Sequence, residues 1–354
     1  MTLSTPVTDF PRAFQLTATD KILALGSCFA QVVGQRLKDN RMDVLLNPTG
    51  TLYNPLSIFH LINMAVCVAK GEASAQQLAA PTVFLGTDGV WHSWSAASIV
   101  SAHSHDACVR NMVDAISQTA EQIKRMTVMM LTLGTDRYYT LNPQSHKTET
   151  STPYMGVVAN CHKMPQSLFC EKTANIDEIA NMFASTMKQL LELRPNLKVI
   201  LTVSPYRYIK YGLHASQLSK SRLLLATDAI QKAFEQVVYF PAYEILNDEL
   251  RDYRFYAADM AHPSPVAEEY VWETFCLHYI NERLRLFFRE WAPIQKYHAH
   301  RPINGEPPAA AQQAMQEKTE RLRLRFPEMF GNLSPLHTPP FATNDKHHIP
   351  VANK

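Results

Sequence analysis

A chain of 354 residues, 46% hydrophobic and 19% charged, holds enough apolar material for one large or two modest domains; a disulfide-stapled miniprotein, a bare peptide module and disorder over most of the length are excluded. Lys and Arg number 34 against 32 Asp and Glu, a balance of +2 without a long basic run, so neither nucleic acid nor an anionic membrane is an expected partner.

In chain order, the opening residues show no basic leader followed by an apolar stretch; no secretory signal is read, and the cytosol is the expected compartment. Residues 21–25 form a short apolar run, then come Gly26 and Ser27, and residues 28–37 carry Phe29, Val32, Val33 and Leu37 along one helical side. This predicts strand, tight turn and helix. A second turn at 47–50 leads through Tyr53-Asn54-Pro55 into a helix to about residue 68. Its apolar stretch, 56–69, is shorter than the roughly 20 residues that cross a bilayer and contains His60 and Asn63, so no membrane span is expected.

Residues 81–98 read as an inserted hairpin with the glycine-rich turn 86–89. A helix over 107–126 runs into a nearly continuous apolar strand at 127–133, and residues 137–172 read as a long irregular insertion. Asn175 and Glu178 open a helix with a capping-box pattern, a strand follows at 197–203, a helix at 217–236 and a short strand at 237–240. Ser264-Pro265 caps a helix expected to reach residue 288. The division expected is a catalytic domain over 1–292 and a partly irregular appendage over 293–354.

This alternation predicts an α/β fold with a central, mostly parallel sheet covered by helices on both faces, which gathers chemistry beyond the carboxyl ends of its strands. Ser27 sits at one such end, where a hydroxyl can project while the following helix favours negative charge; a plain helix cap is the alternative. Asp259 stands three residues before His262, a spacing that lets a carboxylate orient one ring nitrogen and leaves the other to accept a serine proton. Cys28 is the rival nucleophile, although its side chain is expected to turn towards the core. Trp91, His92, Tyr138 and His162 are candidates to line an acyl or sugar pocket, and Arg207, with Arg251 and Arg254, to bind a carboxylate or phosphate. The six cysteines show no repeated CxxC; even with His103 and His105 beside Cys161 and His162, no spacing demands a metal, and no cofactor is predicted. No heptad or symmetric-interface motif bears on oligomeric state.

Gly26-Ser27-Cys28-Phe29-Ala30 resembles the name-giving motif of the GSCFA domain family, a branch similar to the SGNH (GDSL-like) hydrolases. The resemblance continues through Asn47-Pro48, Tyr53-Asn54-Pro55, Thr132-Leu133-Gly134-Thr135, Asn160-Cys161-His162-Lys163, Val203-Ser204-Pro205 and Ser219-Lys220. It goes on through residues 239–244 and 250–256 and ends at Asp259-Met260-Ala261-His262-Pro263, covering roughly residues 20–285. It implies a flavodoxin-like three-layer α/β/α domain and a serine-dependent acyl-ester hydrolase acting on a small-molecule or saccharide ester. Ser27 is then nucleophile, Asp259 orienter and His262 general base. The amides of Ser27 and Gly50 become oxyanion donors. Asp136 departs from the implied pattern, since it stands where an asparagine donor is common and an ionised carboxylate cannot donate. Asn160 is the preferred replacement, with His162, Asn54 and Thr135 behind it. Transfer of the acyl group to a saccharide hydroxyl and a catalytically silent binding or scaffold role are the alternatives.

Overall fold

The computed structural model describes residues 5–10, 14–143, 154, 156–299 and 309–331. After β1 (Lys21–Gly26) come α1 (Cys28–Asp39), the edge strand β2 (Asp43–Leu46), α2 (Pro55–Lys70) and the short α3 (Ala75–Ala79). A hairpin of β3 (Val83–Leu85) and β4 (Trp91–Ser93) precedes α4 (His105–Arg125) and β5 (Val128–Leu133). Next, β6 (Arg137–Leu141), β7 (Val157–Val158) and β8 (Phe169–Thr173) pair antiparallel in the order β7-β6-β8. α5 (Ile176–Leu193), β9 (Lys198–Val203), α6 (Leu213–Ala233) and β10 (Val237–Tyr239) complete the alternation. α7 (Ala242–Glu244), a π-helical turn at Ile245–Leu250 and α8 (Pro265–Tyr279) follow.

The central sheet runs β2-β1-β5-β9-β10, and every pairing is parallel. Counted among these five strands alone, this is the 2-1-3-4-5 order of a flavodoxin-like, doubly wound fold. β5 is buried at all six positions, and β1 and β9 at all but their first, because helices cover both faces. The period of two divides each strand between two cores. Leu23, Leu25, Met129, Leu131, Leu133, Val199, Leu201 and Val203 join the apolar faces of α2, α4, α5 and α6. Ala24, Met130, Thr132, Ile200 and Thr202 face Phe29, Ala30 and Val33 of α1, together with Phe240 and Phe275. The result is a three-layer α/β/α sandwich.

Two departures from the sequence reading have local causes. The stretch read as irregular after residue 137 contains the small antiparallel sheet, in which Tyr139 faces Glu171 and Leu141 faces Phe169. The helix expected to run from Ser264 to residue 288 stops at Tyr279. There the Leu16 amide donates to the Tyr279 carbonyl at 2.6 Å, the Asn281 amide donates back to Leu16 at 3.1 Å, and Ile280 is held extended.

The chain separates into two compact units, Met1–Lys38 with Met42–Asn281, and Asp39–Arg41 with Glu282–Lys354. In the second, α9 (Glu282–Ala299) is joined to α10 (Ala309–Arg325) by Glu290 paired with Arg325 at 2.5 Å, and to the segment after α10 by Arg283 paired with Glu328 at 2.6 Å and Phe287 against Phe326 at 5.4 Å. Of the appendage expected over 293–354, residues 300–308 and 332–354 lie outside the described residues, as do 144–153 and 155 of the expected insertion. Among the described residues no helix is long and apolar enough to cross a membrane.

Candidate active site

At the end of β1, Gly26 has φ +137°, and a Cβ there would come within 2.3 Å of the Thr132 carbonyl oxygen, so only glycine lets the chain turn from the strand directly into α1. Ser27 follows and is 1% exposed; its Oγ accepts from the Phe29 amide at 3.4 Å, a weak cap of α1. The Ser27 amide donates to the Thr132 carbonyl at 3.2 Å, and the Gly50 amide to the Asn47 carbonyl at 2.8 Å, so both implied oxyanion amides are engaged within the fold. Cys28 departs from the sequence reading: it is half-buried, with its thiol 3.5 Å from the Tyr53 hydroxyl.

The end of β5 is tied down on three sides. The Tyr53 carbonyl accepts from the Gly134 amide at 2.8 Å and the Thr135 amide at 3.0 Å. Lys220, buried on α6, donates from Nζ to the carbonyls of Gly134 at 2.6 Å and Ser204 at 2.7 Å. Burial brings its pKa down to about 7, against the opposing charge of Asp136. Asp136 itself is wholly buried, paired with Arg222 at 2.6 Å, while its amide donates to Ser219 Oγ at 3.0 Å. Its carboxylate therefore serves the junction with α6.

What does approach Ser27 here is a tyrosine. A Cβ built on Gly134 would lie 2.8 Å from the Tyr208 hydroxyl oxygen and 3.4 Å from Ser27 Cβ, so both side chains converge on the bare face of this glycine. The Tyr208 hydroxyl is enclosed and, among the described residues, has no hydrogen-bond partner. Burial pushes its phenol pKa well above the ordinary range, which keeps the proton on. Tyr208 packs edge-on to Tyr53 at 6.3 Å and to Tyr206 at 4.8 Å between centroids.

Tyr206 in turn lies 4.4 Å from the ring of His262. His262 Nδ1 is 2.5 Å from Asp259 Oδ2, while Asp259 Oδ1 accepts from the backbone amides of Ala261 and His262, each at 2.9 Å. Met260 between them takes a left-handed φ of 56°, folding the three-residue spacing into a tight turn. Burial alone would raise the Asp259 carboxyl, but the His262 amide and ring and the Ala261 amide together hold it below the usual carboxylate value. Among the described residues His262 Nε2 has no hydrogen-bond partner, and no hydrogen bond joins it to Ser27.

A model of the GSCFA family matches residues 21–275, a span that contains Ser27, Tyr208, Asp259 and His262. The chain belongs to the GSCFA family. No curated protein and no solved structure matches it.

The other candidates of this GSCFA chain fall into separate places. His92 and His162 stack at 4.4 Å behind the β3–β4 hairpin. His92 is held by Ser101 at 2.7 Å and Asp88 at 3.1 Å, and His162 Nε2 donates to the carbonyls of Ser93 and Ala96. Asn160 accepts the His162 amide at 2.7 Å, and Trp91 stands edge-on to His105 at 5.0 Å. Tyr138 is buried and bonds Glu178, which accordingly does not close a capping box with Asn175. Arg207 lies beside the tyrosines near His262, lining a cavity. Among the described residues no group of three or more His, Cys, Asp or Glu gathers as a metal site. The sequence reading missed Tyr208 and any chemical role for Lys220; the resemblance at Ser219-Lys220 was the available signal for the lysine.

Proposed function

We propose that this GSCFA protein is a serine-dependent acyl-ester hydrolase of SGNH type. The observation that carries the reading is the Asp259–His262 pair, one imidazole nitrogen held by a clamped carboxylate and the other uncommitted, packed through Tyr206 and Tyr208 towards the end of β1. His262 Nε2 takes the proton of Ser27 as Oγ leaves the Phe29 amide and attacks the ester carbonyl. Such bonds are often unmade in the free enzyme and form with substrate. The alcohol departs with the proton from His262, and water enters by the reverse route to release the acid.

Two donors suit the oxyanion. Among the described residues the Cys28 amide, first in α1, has no acceptor, and it lies at the positive end of the helix. The Tyr208 hydroxyl supplies the donor that Asp136 cannot. We therefore assign the second donor to Tyr208 in place of Asn160. Delivery of the acyl group to a sugar hydroxyl uses the same steps with a different acceptor. The enclosure of Ser27 and the engagement of its amide favour a second reading, a non-catalytic binding protein.

Fluorophosphonate labelling with peptide mapping, alongside hydrolysis of p-nitrophenyl acetate, decides between them. The catalytic reading expects label on Ser27, loss of labelling in His262→Ala, and loss of hydrolysis in a folded Ser27→Ala. Full activity in Ser27→Ala would end it.

A further inference from the structure

Beside His262, the first unit holds a cavity of about 440 Å³, bounded by the segment after β9, the start of α6, the π-helical turn and residues 251–256. The size suits a monosaccharide-scale ligand. Arg207 carries the charge at its wall. Its guanidinium lies 3.9 Å from the ring centre of Tyr256 and 5.5 Å from that of Tyr253, and among the described residues no carboxylate forms an ion pair with it. Asp252 at the rim is already paired with Arg254 at 3.1 Å. Exposed Arg251, another rim residue, likewise has no ion pair among the described residues. The remaining rim carboxylate, Asp248, is exposed.

The neutral groups are fixed in place. The Tyr243 hydroxyl donates to Gln217 at 2.6 Å and the Tyr256 hydroxyl to Asn247 at 3.0 Å, leaving the Gln217 amino group and the Tyr243 phenol oxygen to meet ligand hydroxyls. Tyr253 is 65% exposed and offers a flat face of the kind that packs on a sugar ring. A guanidinium already stacked on an aromatic and lacking a counter-ion is prepared for a planar or tetrahedral oxyanion. The cavity is also joined to the imidazole: the Arg207 amide donates to the Ala261 carbonyl at 3.0 Å, and the preceding residue, Tyr206, rests on His262.

We propose that this cavity is the subsite for the non-reacting part of the ester, and that it takes a sugar bearing one anionic group, a carboxylate or a phosphate, through Arg207. The assignment of the cavity to an ester rests on the hydrolase reading; the ligand chemistry does not. Calorimetric titration of the full chain with glucuronate, glucose 6-phosphate, glucose and inorganic phosphate tests it. At least one anionic sugar should bind tenfold or more tightly than both glucose and inorganic phosphate, and whichever of the two is tighter names the anion. That affinity should fall several-fold as NaCl rises from about 50 to 500 mM, a readout that needs no variant. It should drop to the level of glucose in Arg207→Gln and be partly kept in Arg207→Lys. Glucose or inorganic phosphate binding as tightly as the better of the two anionic sugars, or affinity indifferent to salt, would each overturn the proposal. Hydrolysis of p-nitrophenyl acetate, followed in parallel, separates the two readings. Binding without hydrolysis removes the hydrolase and leaves the anionic-sugar site. Hydrolysis without binding removes the site alone.

Discussion

Tyr208 shows how a residue's chemistry depends on what it lacks. A buried phenol normally finds a partner, and leaving one without costs about 1–3 kcal/mol, a cost tolerated at functional sites. Here the unpartnered hydroxyl faces the one strand end where an added Cβ would collide with it. Tyr208→Phe removes only that hydroxyl. We expect kcat for ester hydrolysis to fall about 100-fold with KM nearly unchanged, as for loss of one oxyanion donor, while thermal stability holds or rises. A variant with full kcat would mean that the hydroxyl takes no part. Ser27 and the Asp259–His262 turn were legible in the sequence because each is a local pattern, a strand-turn-helix and a three-residue spacing. Tyr208 was not, because its role arises only where distant segments meet around Gly134.

At the scale of elements, strands covered on both faces announce themselves as apolar runs, and β1, β5 and β9 were readable for that reason. β6 and β8 were hidden, since Arg137, Tyr139 and Glu171 interrupt the apolar pattern and the partners lie some thirty positions apart. The break at Ile280 was equally invisible, being imposed by Leu16 at the other end of the chain. The junction of β5 with α6 shows what such long-range packing contributes. Asp136 is sealed from water, and among the described residues Arg222 is the sole ion-pair partner of its carboxylate, whose other oxygen is unpartnered. Arg222→Ala leaves that charge buried alone, and about 2–4 kcal/mol of stability should be lost in denaturant unfolding. Arg222→Ala with Asp136→Asn should recover part of it; an Arg222→Ala protein as stable as the parent would show the pair to be incidental.

For the molecule as a whole, Lys220 couples folding to pH. Its pKa falls from an ordinary 10.5 to about 7 in the fold, so between those values the unfolded chain binds more protons than the native one. Stability therefore increases with pH across that window, and the penalty for charging the buried amine is felt in full below it. The neutral amine still has two N–H groups for its two carbonyls. Melting temperatures from pH 6.5 to 9 should climb more steeply in the parent than in Lys220→Met; parallel curves would show that the lysine keeps its charge throughout. The parallel sheet has a further consequence in time. β1, near the start of the chain, lies between β2 and β5, and the imidazole enters only with residue 262. On a ribosome the strand that leads into Ser27 must wait for its later neighbours, and His262 emerges after all five strands of the sheet. The meeting of these strand ends with His262 is withheld from the nascent polypeptide until synthesis of the first unit is nearly done.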